Sequence, residues 1–178
     1  MISPDSLSHK SYPAGLVLGR FQPFHPGHAH LISTAFDECD HVTVLIGSAQ
    51  LADPLTIEER VGALSAHLTR LYSPHRYTLL SLVDPSPMAT WPEVVSSAIS
   101  PYPTPCAFYR ADHLEPHDEA SLLALGFALR YLPRLPFTWI DPLGHPVISS
   151  SATDIRRHYA SLNMELTLPS VTPHSSPL

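Results

Sequence analysis

Two histidines three residues apart, His25 and His28, follow Arg20 in the string GRFQPFHPGHAHLI at residues 19–32. These residue types at this spacing suit the handling of a phosphate. A neutral imidazole donates one hydrogen bond and a protonated one adds charge. A histidine pair can therefore stabilise the charge that builds on the oxygens of a transferring phosphoryl group. The spacing lets both rings face an anion held by the free amides at the start of a helix, and Arg20 can join them. Gly19 permits a tight exit from a strand, Pro23 and Pro26 stiffen the loop, and Gly27 lets the backbone approach a ligand. Among twelve histidines, position singles out these two. His41, His67, His75, His117 and His174 read as surface or core residues, and His30 as a helix-surface residue.

The elements that must hold this string are short apolar runs alternating with helical patterns. A strand over 16–19, a helix over 27–37 and a strand over 42–46 form the first unit. Thr56 and Glu59 make a capping box that opens a helix to about residue 71, and 77–83 alternates as a strand. A helix over 91–99, a strand over 107–109, a helix over 118–125 closed by Gly126, and a strand over 137–140 follow. Ser151 caps a last helix through residue 160. This order predicts one doubly wound α/β domain on a parallel sheet, with the ligand crevice at the carboxyl ends of the strands. The domain is expected over 14–160, between a flexible arm at 1–13 and a flexible tail at 161–178.

Composition narrows the partners. The net charge of −6, without a basic cluster, argues against a nucleic acid or an anionic membrane. No run of 18 apolar residues occurs and no secretory leader is visible, so a soluble cytoplasmic protein is expected. Cys39 and Cys106 read as small apolar residues. Lys10 is the only lysine, which excludes a lysine-dependent phosphate loop and leaves arginine, histidine and backbone amides to meet any anion.

His-X-Gly-His after a first strand resembles the signature of the nucleotidyltransferase superfamily. The longer Gly19–His28 string resembles nicotinamide mononucleotide adenylyltransferases, in the form found alone or fused ahead of a Nudix hydrolase. Three further segments fall in order: IGSAQ at 46–50, PLTIEER at 54–60 and SATDIRR at 151–157. The resemblance covers about residues 15–160. It implies a Rossmann-like fold and transfer of adenylyl from ATP to nicotinamide mononucleotide, giving NAD and pyrophosphate with Mg²⁺ held mainly by the phosphates. Arg20, His25 and His28 would be catalytic. Gly19, Phe21, Gln22, Gly27, Ser151, Thr153 and Arg156 would hold ATP, and Gly47, Ser48, Asp84 and Trp91 the acceptor. Homo-oligomers are common among such proteins.

The chain departs from that pattern in two places. The stretch between Gln50 and Pro54 is shortened, with Asp53 where asparagine is usual. After the strand at 107–109, Tyr109-Arg110-Ala111-Asp112-His113 replaces a Gly-His-X-Lys-Asp turn, so Arg110 would replace a lysine charge and Tyr109 would crowd the nucleotide. Ser151 is explained by capping alone, whereas Arg156, one turn along, is better explained by a phosphate. Arg60 reads as a structural partner of a carboxylate and Arg157 as a surface charge. Alternatives are another acceptor (nicotinic acid mononucleotide or another small phosphate), a nucleotide-binding regulator without turnover, and a zinc hydrolase on His25, His28 and His30 with Asp112 and His113.

Overall fold

The computed structural model describes residues 10–47, 54–82, 95, 97 and 106–167. The expected acceptor residues Ser48, Asp84 and Trp91 lie outside them. Five strands, β1 (Tyr12–Gly19), β2 (Cys39–Ile46), β3 (Tyr77–Ser81), β4 (Cys106–Arg110) and β5 (Phe127–Tyr131), form one parallel sheet in the order β3-β2-β1-β4-β5. Helices α1 (Pro26–Glu38), α2 (Ile57–Leu71) and α3 (Pro116–Ala124) connect them. A separate antiparallel hairpin, β6 (Phe137–Ile140) and β7 (Pro146–Ser149), leads into α4 (Ala152–Ser161). This is the doubly wound α/β architecture expected from the alternation of elements.

Both faces of the sheet are covered, and strand periodicity assigns the residues. Val17, Val44 and Tyr109 point into a core shared with Ile32, Phe36, Leu64 and Leu68 of α1 and α2. Their neighbours Leu16, Leu45 and Phe108 point into a second core with Leu122 of α3 and Val95. Alternate residues of one strand thus feed two cores. The capping box is present: Thr56 N donates to the Glu59 carboxylate at 2.8 Å and Glu59 N to Thr56 Oγ1 at 3.2 Å. At the far end of α1, Lys10 Nζ donates to Asp37 O and Arg76 Nη2 to Phe36 O and Cys39 O, two cations on a negative helix terminus.

Several boundaries differ from expectation. β1 starts at Tyr12, inside the expected arm, because residues 12–18 pair with β2 from Cys39 onward. The chain stays folded past Ser161. Met164 N donates to Tyr159 O, Thr167 meets the Tyr159 hydroxyl at 3.2 Å, and Leu166 packs on a third cluster of Trp139, Ile155 and Tyr159. The strand at 137–140 belongs to the hairpin and not to the parallel sheet, whose fifth strand is β5. Of the helix expected over 91–99, Val95 and Ser97 are described, both helical.

Tyr109 is the largest correction. Its ring is fully buried in the core, its hydroxyl donates to Glu38 Oε2 at 2.9 Å and lies 3.3 Å from Cys39 Sγ. Glu38 in turn takes a two-point contact from Arg130. The side chain expected to crowd a nucleotide instead locks α1 to the sheet. Gly15 makes the room: a Cβ there would lie 2.6 Å from Cys39 Sγ and 3.0 Å from the Tyr109 ring. Gly15→Ala should therefore destabilise the fold by about 1–3 kcal/mol, and adding Cys39→Ala should recover part of that loss. Urea midpoints of the single and double variants check this, and strict additivity would count against the contact.

Candidate functional site

A cavity of about 250 Å³ opens at the carboxyl ends of β1, β4 and β5, where an open parallel sheet places its ligands. Its wall comes from the exit of β1, the start of α1, the exits of β4 and β5, and the start of α4. Gly19, Arg20, Phe21, Gln22, His25, Gly27, His28, Ser151, Thr153 and Arg156 all lie on it. Two segments more than 120 residues apart in sequence thus converge. Arg156 Nη1 donates to Gln22 O at 2.6 Å and Nη2 to Thr153 Oγ1 at 3.0 Å, joining α4 directly to the loop before α1.

His25 is the N-cap residue of α1, but its side chain makes no capping bond. Its ring lies instead in a stack. The ring of Phe137 in β6 stacks on it at 4.7 Å and 14°, and the His28 ring at 3.7 Å and 26°. Phe21 then abuts His28 at 4.7 Å. Both glycines of the string serve this stack. A Cβ on Gly27 would sit 3.0 Å from the His25 ring, and one on Gly19 would sit 3.0 Å from the Phe21 ring. Gly27 therefore makes space for an imidazole, where sequence reasoning assigned it to backbone approach. Phe21 holds the left-handed φ of +52°, a costly backbone for a bulky residue that marks a constrained loop.

Electrostatics keep the pair neutral. Burial, with Arg134 and Arg156 nearby, pushes the His25 pKa down to about 4. Burial, His25 and Arg134 hold His28 well below the ordinary histidine value. Neutral imidazoles offer N–H donors without a charge to desolvate. The Nδ1 atoms of both histidines and Nε2 of Gln22 are buried and have no hydrogen-bond partner among the described residues. Each such group is costly, and their gathering on one cavity points to a ligand.

Four of the chain's nine arginines, Arg20, Arg110, Arg134 and Arg156, line this cavity, and among the described residues Asp112 is the carboxylate on it. A protein of net charge −6 has concentrated cations at one place. The start of α4 adds amides. Ser151 Oγ accepts from Asp154 N at 3.2 Å, and the Asp154 carboxylate accepts from Ser150 N and from both serine hydroxyls. The Ser151 hydroxyl thus caps the helix, and Ala152 and Thr153 of its first turn, whose amides have no partner within the helix, line the cavity.

Gly47 stays off the cavity wall. Its amide donates to Gly19 O at 3.0 Å and its carbonyl accepts from Arg60 at 3.1 Å. Arg60, expected beside a carboxylate, is buried and also donates to Arg20 O and Thr56 O. Sequence reasoning gave no role to Arg134 or Phe137, because both follow β5, which it did not detect. Among the described residues no group of three or more His, Cys, Asp or Glu could hold a metal ion. No described helix is long and apolar enough to cross a membrane.

The architecture is a Rossmann-like doubly wound fold, and residues 16–78 match the cytidylyltransferase-like family. Solved structures of a bifunctional NMN adenylyltransferase/ADP ribose pyrophosphatase from Francisella tularensis share that fold. One, complexed with AMP and a Mn ion, has a TM-score of 0.60 at 17% identity over 84% of this chain and 42% of that one. The other has a TM-score of 0.62 at 18% identity, over 86% and 43%. Nearer in sequence are archaeal nicotinamide-nucleotide adenylyltransferases. That of Pyrococcus furiosus is 40% identical over 91 residues, 48% of each chain, and that of Thermococcus onnurineus 38% over 89 residues, also 48% of each. The enzyme of Methanocorpusculum labreanum is 36% identical over 94 residues, 51% of this chain and 55% of its own. The chain therefore spans about half the length of the curated relatives it matches.

The low pKa of His25 has a stability consequence. Between pH 6.5 and about 4 the unfolded chain binds a proton that folded His25 refuses, so its contribution to stability is complete above 6.5 and is lost as pH falls through that window. From about pH 7.5 to about pH 4.5 the wild type should lose about 2–3 kcal/mol more than His25→Gln in urea titrations. Equal losses would mean that His25 is not held neutral.

Proposed function

We propose that the chain is an adenylyltransferase that condenses ATP with nicotinamide mononucleotide to give NAD and pyrophosphate. The observation that carries this reading is the convergence, in one arginine-rich cavity, of the stacked His25–His28 pair and the start of α4, joined by the Arg156–Gln22 contact. The names of the archaeal relatives support the acceptor, as does the Arg20-Phe21-Gln22 triplet. The setting is cytoplasmic on this reading.

The phosphate oxygen of the acceptor attacks the α-phosphorus of ATP in line. The bond from that phosphorus to the bridging oxygen breaks, and pyrophosphate leaves with the electron pair. No side chain is alkylated, acylated or phosphorylated. His25 and His28 donate N–H groups to phosphate oxygens, Arg20 and Arg156 balance their charge from either side, and the amides at the start of α4 hold the phosphate chain. Gly19, Phe21, Gln22, Gly27, Ser151 and Thr153 shape the ATP end. Gly47, Ser48, Asp84 and Trp91 take the acceptor on the sequence resemblance, with the Trp91 indole suited to a cationic pyridinium.

The donor set fits a divalent ion that arrives on the phosphates. No described cluster of carboxylates or imidazoles would hold one, and Asp112 on the cavity wall is engaged by Arg134. When bound in this way, Mg²⁺ would supply positive charge to the phosphate oxygens that Arg20, Arg156 and the amides of α4 hold.

Pyrophosphate release measured with ATP, Mg²⁺ and, in parallel, nicotinamide mononucleotide, nicotinic acid mononucleotide and phosphopantetheine tests the proposal. Release should be fastest with the first, and His28→Ala should lower kcat about 100-fold or more. Faster release with another acceptor would reassign the substrate. ATP binding without release from any of the three would favour a regulator.

A further inference from the structure

Arg134 belongs to none of the sequence motifs and Asp112 only to the altered turn at 109–113, yet both face the cavity from the exits of β5 and β4. Arg134 Nε donates to Asp112 Oδ1 at 2.9 Å and its Nη2 to Oδ2, a side-on two-point pair. Both side chains are exposed. A pair this open to solvent contributes little to stability, too little to explain by itself its place on the cavity wall. What the pair does fix is direction. A guanidinium held through Nε and Nη2 keeps one planar orientation and leaves its Nη1 protons for another acceptor.

That acceptor is an anion in the cavity. Arg134 is near enough to the two imidazoles to lower the proton affinity of both, so the cation and the two neutral donors share one space. Arg156 acts on His25 from α4 but is already tied to Gln22 and Thr153. Arg110 adds a further charge beside Asp112. A polyphosphate carries the negative charge that such a cluster of guanidiniums attracts.

Resting on the adenylyltransferase reading, we propose that Arg134, held side-on by Asp112 where the β4 and β5 exits meet the His25–His28 stack, binds the β- and γ-phosphates of the nucleotide, with Asp112 as its positioning residue. A polyphosphate then gains a planar donor already aimed at it, so less freedom is lost on binding. AMP, which lacks the terminal phosphates, gains little.

The test titrates wild type, Arg134→Gln, Arg134→Lys and Asp112→Asn calorimetrically with ATP, AMP and inorganic tripolyphosphate, without acceptor, after thermal melts show matching stability. Arg134→Gln should weaken ATP and tripolyphosphate about tenfold or more, and AMP less than about threefold. Asp112→Asn should weaken ATP by a smaller factor, and Arg134→Lys should restore part of the Arg134→Gln loss. Equal weakening of ATP and AMP, no weakening of either, or a wild type that takes neither ATP nor tripolyphosphate would overturn the assignment. The two readings fail separately. Pyrophosphate release unchanged in Arg134→Gln removes this proposal and leaves adenylyl transfer standing, whereas Arg134-dependent ATP binding without release from any acceptor does the reverse.

Discussion

The buried guanidinium of Arg60 is the contact on which the site is built. It is 1% exposed and donates to the carbonyls of Arg20, Gly47 and Thr56. A buried cation is tolerated only when its donors are used, and these acceptors lie at the ends of β1 and β2 and at the cap of α2. One side chain therefore pins three chain reversals together. The loop from Arg20 to His25 starts from a fixed point, and the left-handed Phe21 and the imidazole stack are its consequences. Removing the guanidinium would release carbonyls that have been drawn together around it, with effects at both the core and the cavity.

Helix α1 carries that order across the molecule. Its carboxyl end is held by Lys10 and Arg76 and, through Glu38, by Tyr109 and Arg130. Its amino end carries the two histidines. With cations satisfying the negative terminus, the positive terminus faces the cavity without an acidic residue in its first turn. The helix start and the flanking arginines act in the same direction: both favour an anion and both disfavour protonated imidazole. Burial holds the histidines neutral in the first place, and the cationic wall adds to it.

Strands β1 to β4, α1, α2 and the last helix were legible because their signals are local. Apolar runs in β1 and β2, the Thr56–Glu59 box and the Ser151 cap each lie within a few residues of the element they define. β5 was not legible. Its FALRY sequence is half-exposed along an edge, and Arg130 is there for a carboxylate 92 residues away. Missing β5 hid Arg134, since a residue gains meaning as a strand exit only once the strand is known. β7 opens on a proline and spans four residues, too few for alternation to register. Tyr109 was misplaced for a related reason. Its position at the fourth strand was right, but the space opened by Gly15 and Cys39 comes from a neighbouring strand and the end of α1.

The two walls of the cavity rest on different foundations. One belongs to the sheet and its cores, the other to the small cluster of Trp139, Ile155 and Tyr159 under the hairpin and α4. Between them run the segment 132–136, the Phe137–His25 stack and the Arg156 bond to Gln22. A molecule that touches both walls is then a splint across a seam. Part of its intrinsic affinity would go into stiffening the seam, so fragments that touch one wall would bind with energies that do not sum to that of the whole. Occupancy would register in amide exchange along α4 and the hairpin, well away from any atom of the ligand.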